Sequence, residues 1–177
     1  MRHLALALTL FALLAVPSVS AASNAAHAVN LQLSDFAAGF VLLSAHTTGM
    51  APDSARTGVL AEDSQLYELV SHGVRFRINS DVYYYTSTTK AQLAWKNDEA
   101  KPIVGAQLIA PCSSGAQCVA FELNTVVTGN ATTLDVFEFQ RGRYRVIMIG
   151  ISRKGIMTPH ILTPASTIVD TRILHAQ

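Results

Sequence analysis

Hydrophobic and polar positions change period several times along the chain, and each change marks an element. The start, MRHLALALTLFALLAVPSVSA, has a basic opening, an unbroken apolar run from Leu4 to Val16, and a small-residue end. This is the three-part pattern of a secretory signal peptide, with cleavage expected after Ala21. The apolar run is shorter than the ~20 residues a membrane-spanning helix needs. Retention as an N-terminal anchor is the competing reading. Residues 22–30 (ASNAAHAVN) are small and polar and read as a flexible lead-in to a domain covering 31–177.

A short helical piece is expected around Leu33 to Ala38, then a strand from Phe40 to His46. Residues 47–62, rich in Thr, Gly, Pro, Asp and Ser, read as a loop. In EDSQLYELVSHG, Leu66, Leu69 and Val70 fall at helical spacing, with Asp63 or Ser64 as the cap and Gly73 as the stop. VRFRINSDVYYYTS alternates as a strand with Val74, Phe76 and Ile78 on one face, and Asn79-Ser80-Asp81 is expected to bulge or turn it. STTKAQLAWKNDEA reads as a helix capped near Ser87 or Thr88, burying Ala91, Ala94 and Trp95, with Pro102 at its exit.

A β-meander is expected to follow: Ile103–Ala110, then CVAFELNTVV with Val119, Phe121 and Leu123 on one face, TLDVFEFQ, and RYRVIMIGIS after an Arg-Gly turn. Beyond Lys154, Gly155 and Pro159, residues 164–175 form a last helix with Ile168, Val169 and Ile173 inward. The order predicts an α+β domain: a mainly antiparallel sheet of about 5–6 strands with helices packed on it. No second long apolar run follows the first, so no membrane span is expected once the signal is removed.

LSDFAAGFVLLSAHT, the segment ending in HG, the strand leading into YYYTSTTKAQLAW, the FQRGRYRVIMIG hairpin and the closing TIVDTRI resemble a set of exported bacterial domains. The chain is similar in outline to LpqN and PsbP-like α/β/α sandwiches and to the extracellular sensor domains of actinobacterial kinases. Ala37 stands where such domains usually have proline, and Thr171 where they usually have alanine. The resemblance implies fold and export to the periplasm or beyond, and it brings no catalytic residues.

Charge narrows the function classes. The chain has 13 Lys and Arg against 12 Asp and Glu, a balance that disfavours nucleic-acid binding through phosphate neutralisation. The two cysteines, Cys112 and Cys118, sit in PCSSGAQC. A structural metal site needs further ligands, and no His or Cys pair lies near in sequence. A redox pair ordinarily has tighter spacing at a helix start. In an oxidising compartment an even cysteine count favours a disulfide, here stapling a hairpin.

No nucleophile elbow, Ser-x-x-Lys pair or phosphate-binding glycine loop is present, and no cofactor or metal is implied. The pairs Glu62-Asp63 and Asp98-Glu99 read as caps and solvated ends. Recognition falls to the QRGRYR hairpin: Arg143 and Arg145 in one strand would share a face, with Arg141 at the turn, and guanidinium forks suit carboxylate or phosphate groups. Tyr83, Tyr84 and Tyr85 must place alternate rings on opposite faces, one side core and the other a platform. In both cases the competing reading is an ordinary solvated or packed face. The expectation is a non-catalytic binding or interaction domain for a protein, an envelope component or a small ligand. The alternatives are a secreted hydrolase using scattered carboxylates and a structural component of an envelope assembly.

Overall fold

The computed structural model describes residues 18–49, 54–99, 104–109, 112–127, 129–153 and 162–177. The apolar run Leu4 to Val16 of the expected signal, Pro102, Ile103, Lys154, Gly155 and Pro159 lie outside them, whereas the expected cleavage point after Ala21 falls within α1 (Val19–Val29). The elements in order are α1 (Val19–Val29), a 3-10 turn (Leu33–Asp35), β1 (Phe40–Gly49), α2 (Ser54–Thr57), β2 (Val59–Ser71), β3 (Val74–Tyr85), α3 (Thr88–Glu99), β4 (Gln107–Leu108), β5 (Gln117–Val127), β6 (Asn130–Arg141), β7 (Tyr144–Arg153) and α4 (Leu162–Ala176). The strands form one seven-stranded sheet in the order β1-β2-β3-β7-β6-β5-β4, and every neighbouring pair is antiparallel. The α+β class is as expected, with more strands than the five or six anticipated.

Several expectations change. Residues 62–73 are not a helix but most of β2 and its turn into β3. His72 and Gly73 both take positive φ there, at 50° and 76°, which gives the twist that a two-residue hairpin turn needs. Residues 47–62 are correspondingly not one loop, since β1 runs to Gly49 and β2 starts at Val59. Residues 22–30 are not a flexible lead-in: Ala22, Ala26 and Val29 recur at helical spacing on α1 and are buried against the sheet.

The Asn79-Ser80-Asp81 group leaves β3 unbroken, because each polar side chain has a partner. Ser80 Oγ donates to Asn30 at 2.6 Å, and Asp81 accepts from Ser64 and Asn79 at 2.5 and 2.7 Å.

Side-chain alternation divides the sheet into two faces. On one, Tyr67, Ile78, Val82, Phe137, Phe139, Val146 and Met148 pack with Ala22, Ala26, Val29, Leu31, Leu162, Val169 and Ile173 into the main core under α1 and α4. A polar centre lies within it. The carboxylate of Asp63, which has no exposed surface, accepts from His27 Nδ1 (3.1 Å), Asn30 Nδ2 (2.8 Å), Gln65 Nε2 (3.0 Å) and Thr47 Oγ1. Burial alone would raise its pKa, but these hydrogen bonds more than offset that and hold it below the usual carboxylate value. Arg172 on α4 donates to Asn30 O (2.6 Å) and grips both oxygens of Asp35 (2.8 and 2.6 Å), tying α4 to the segment after α1.

Cys112 and Cys118 are joined as a disulfide, with Cα atoms 5.7 Å apart. The bridge closes the connection into β5 rather than linking two paired strands, since β4 ends at Leu108. The closed loop is docked on its neighbours. Ser114 Oγ donates to Ser166 on α4 at 2.9 Å, Ala116 N to Gln140 O at 2.9 Å, and Arg141 to Gly115 O at 2.8 Å. Replacing both cysteines with serine is expected to lower stability by about 2.4 kcal/mol, the chain-entropy value for so short a loop. Urea denaturation of the two forms measures it.

Candidate functional site

The opposite face of the sheet carries α3. Ser87 caps that helix by accepting from Lys90 N at 3.2 Å, and its spacing buries Ala91 and Trp95. Ala94 is only half buried, because it borders a cleft of ≈ 530 Å³ between α3, the start of β2 and the central strands. Tyr83, Arg145, Lys90, Asn97, Leu93 and Ile147 are among its lining residues. Between the lining residues Thr57 and Val59, Gly58 has a φ of 79°, its main chain so near Lys90 that a Cβ would lie 2.8 Å from Lys90 Cγ.

The floor beneath α3 is polar, although Ile147 and Ile149 of β7 follow it on the same face. Strand register sets Glu62, Tyr83, Arg145, Gln140 and Gln117 side by side across five strands. Arg145 is buried and donates to Glu138 Oε1 at 2.7 Å, and it also hydrogen-bonds Tyr85. Burial disfavours its charge, but the Glu138 carboxylate more than offsets this and raises the pKa. The Tyr83 hydroxyl is held protonated above its usual range by burial, then by the negative charges of Glu62 and Asp81. The Oε1 atoms of Gln140 and Gln117 are buried with no hydrogen-bond partner among the described residues. A buried acceptor left unmatched costs stability, so this floor is not optimised for packing alone.

The three arginines expected to act together are separated. Arg145 lies in the cleft floor. Arg141 is on the other face, gripping both oxygens of Asp170 on α4 at 2.5 and 3.0 Å. Arg143 sits in the turn, donates to Tyr85 O at 2.8 Å, and lies 4.3 Å from the ring centre of Tyr84. Each guanidinium therefore already has an internal partner. The tyrosines alternate as expected: Tyr83 and Tyr85 line the cleft, while Tyr84 packs against Tyr144 on the core face. Sequence reasoning missed Gln117 and Gln140. Both are polar residues on the α3 side of their strands, a signal recognisable once the register is known.

No family model and no curated protein matches the chain by sequence. Among solved structures, the fold is similar to the extracellular domain of PknH from Mycobacterium tuberculosis, with a TM-score of 0.62 and 13% identity over 86% of this chain and 96% of that one. At that identity the likeness concerns the fold. Among the described residues no helix is long and apolar enough to cross a membrane.

Proposed function

We propose that the protein is an exported, extracytoplasmic binding domain that does no chemistry on its ligand and takes a small amphipathic organic anion into the cleft under α3. The cleft itself carries this reading. Its volume of ≈ 530 Å³ falls in the range of small-molecule sites, which pair apolar walls with a few placed polar groups. Leu93, Ile147 and the Tyr83 ring supply the apolar walls, and Lys90, Arg56 and Asn97 the polar rim. The signal-like start, the disulfide and the fold shared with an extracellular domain support the location.

The carboxylates near the cleft speak against the hydrolase alternative. Glu138 is engaged by Arg145, Asp81 by Ser64 and Asn79, and Glu62 by the Tyr83 hydroxyl, so none of the three faces a substrate as an uncommitted acid or base.

The probe is 8-anilinonaphthalene-1-sulfonate, an aromatic organic anion whose fluorescence rises on leaving water. Saturable one-site binding is expected, weakened at least about tenfold in Ala94→Trp, which fills the cleft from a half-buried position, with the thermal midpoint retained. Undiminished binding by a folded Ala94→Trp would rule the cleft out.

A further inference from the structure

At the far end of the same sheet face, about 20 Å from Tyr83 at ~3.3 Å per residue along β3, a second cavity of ≈ 360 Å³ opens between the β2–β3 and β5–β6 turns. Arg75, Arg77 and Arg153 line it, together with Asn130, Thr132 and Ile151. The convergence follows from register. Arg77 lies opposite Ile151, and Arg153 lies opposite Thr132. Alternation then puts Arg75 and Arg77 on one face of β3, beside Arg153 on the same face of β7.

The charges do not balance. Among the described residues Glu68 is the carboxylate at this site and is shared, accepting from Arg77 Nε at 2.8 Å and forming an ion pair with Arg75 Nε at 3.1 Å. Three guanidiniums thus face one carboxylate, and Arg153 has no ion-pair partner among the described residues. Like charges on neighbouring strands destabilise a sheet. β3 and β7 are central strands, so these cations do not serve to guard an exposed sheet edge. Arg75 uses Nε toward Glu68, and each guanidinium carries five N–H donors in a planar fork that matches a tetrahedral oxyanion.

We infer that this cavity is an anion site for a dianionic phosphate group, held by Arg75, Arg77 and Arg153, with Thr132 and Asn130 at its rim. Such a group would balance the excess charge. It would belong either to a soluble phosphorylated compound or to a phosphomonoester lipid headgroup. The site is independent of the cleft under α3, and either can fail without the other.

Thermal melts with inorganic phosphate, at ionic strength matched by sodium chloride, test the site. A saturable rise in melting temperature is expected for the unaltered protein. At least about a tenfold weakening is expected in Arg153→Gln and in Arg75→Gln, both exposed positions whose loss leaves the Arg77–Glu68 pair intact. Flotation with phosphatidylcholine vesicles, with and without phosphatidic acid, separates the sources. Arginine-dependent capture by the acidic vesicles assigns a headgroup; a phosphate response without capture assigns a soluble ligand. An equal rise in chloride alone, a response that survives both substitutions, or no response in either experiment overturns the inference.

Discussion

Replacing Asn30 with alanine is expected to lower unfolding stability by about 3 kcal/mol or more, the range seen when a buried charge loses its partner. The Asn30 side chain has no exposed surface and makes five hydrogen bonds: it donates to Asp63 O, Asp63 Oδ2 and Ser80 O, and accepts from Leu31 N and Ser80 Oγ. Its removal strips a donor from the buried Asp63 carboxylate and leaves a void in the core. Asn30 also ends α1, so the helix should lose its hold on β2 and β3 together. His27 reaches the same carboxylate from a side chain that is 51% exposed, and His27→Ala should cost less than about 1 kcal/mol.

The centre also predicts acid sensitivity. A carboxyl group whose folded pKa is depressed adds stability above its unfolded value, near 3.8, and that stability is lost as the pH falls through the lower folded value. Chemical denaturation of wild type and both variants at neutral pH measures the difference, and a loss under 1 kcal/mol in Asn30→Ala would contradict the role given to this side chain.

The second large effect has the opposite sign. Asp135 on β6 lies on the core face with no exposed surface, and neither of its carboxylate oxygens has a hydrogen-bond partner among the described residues. It faces Gly150 on one side and Glu122 on the other. Burial, helped by the charge of Glu122, pushes its pKa up to about 6. A raised carboxyl pKa means that the folded state binds the proton more tightly than the unfolded one. The charged form therefore destabilises the fold fully above pH 6, and the penalty fades as the pH falls from 6 towards 3.8. Asp135→Asn keeps the shape and removes the charge. It should raise stability at pH 7.5 by about 2–3 kcal/mol, the free-energy equivalent of the shift, and have almost no effect near pH 4. Urea denaturation at the two pH values reads both numbers, and equal effects at both would mean that charge is not the cause.

These two carboxylates also show why parts of the fold were hard to read in the sequence. In β2 the residues that turn toward the core are Ala61, Asp63, Gln65, Tyr67 and Leu69. Two successive inward positions, Asp63 and Gln65, are thus polar, satisfied by Asn30 and His27 from a distant part of the chain. With the alternation inverted there, Leu66, Leu69 and Val70 imitate a helical stripe. Residues 22–30 failed for a related reason. Their apolar positions are mostly alanine, a strong helix former with little hydrophobic signal, yet Ala22, Ala26 and Val29 keep helical spacing.

Where a segment depends on one face alone, the pattern was sufficient. α3, α4, the β6–β7 hairpin and the alternation of Tyr83 to Tyr85 all stand close to where the periodicity put them. The cysteine pair was legible from its context in the chain, although the closed loop docks on α4 and β6 rather than clasping a hairpin. The cleft was only partly legible. Arg145 and Tyr83 stood out as residue types, but the row they form with Gln140 and Gln117 exists only in the register of five strands. The arginine group of Arg75, Arg77 and Arg153 comes from strands distant in sequence and has no local motif.

Binding in the cleft under α3 is tested most directly by mapping where the naphthalenesulfonate probe perturbs the amide spectrum of the ¹⁵N-labelled protein. Saturating shifts are predicted for Tyr83, Lys90, Leu93, Asn97 and Arg145, the residues around the cleft. Shifts confined instead to the apolar groove of Leu31, Phe36, Phe40 and Ile168, or no saturable shifts at all, would contradict it.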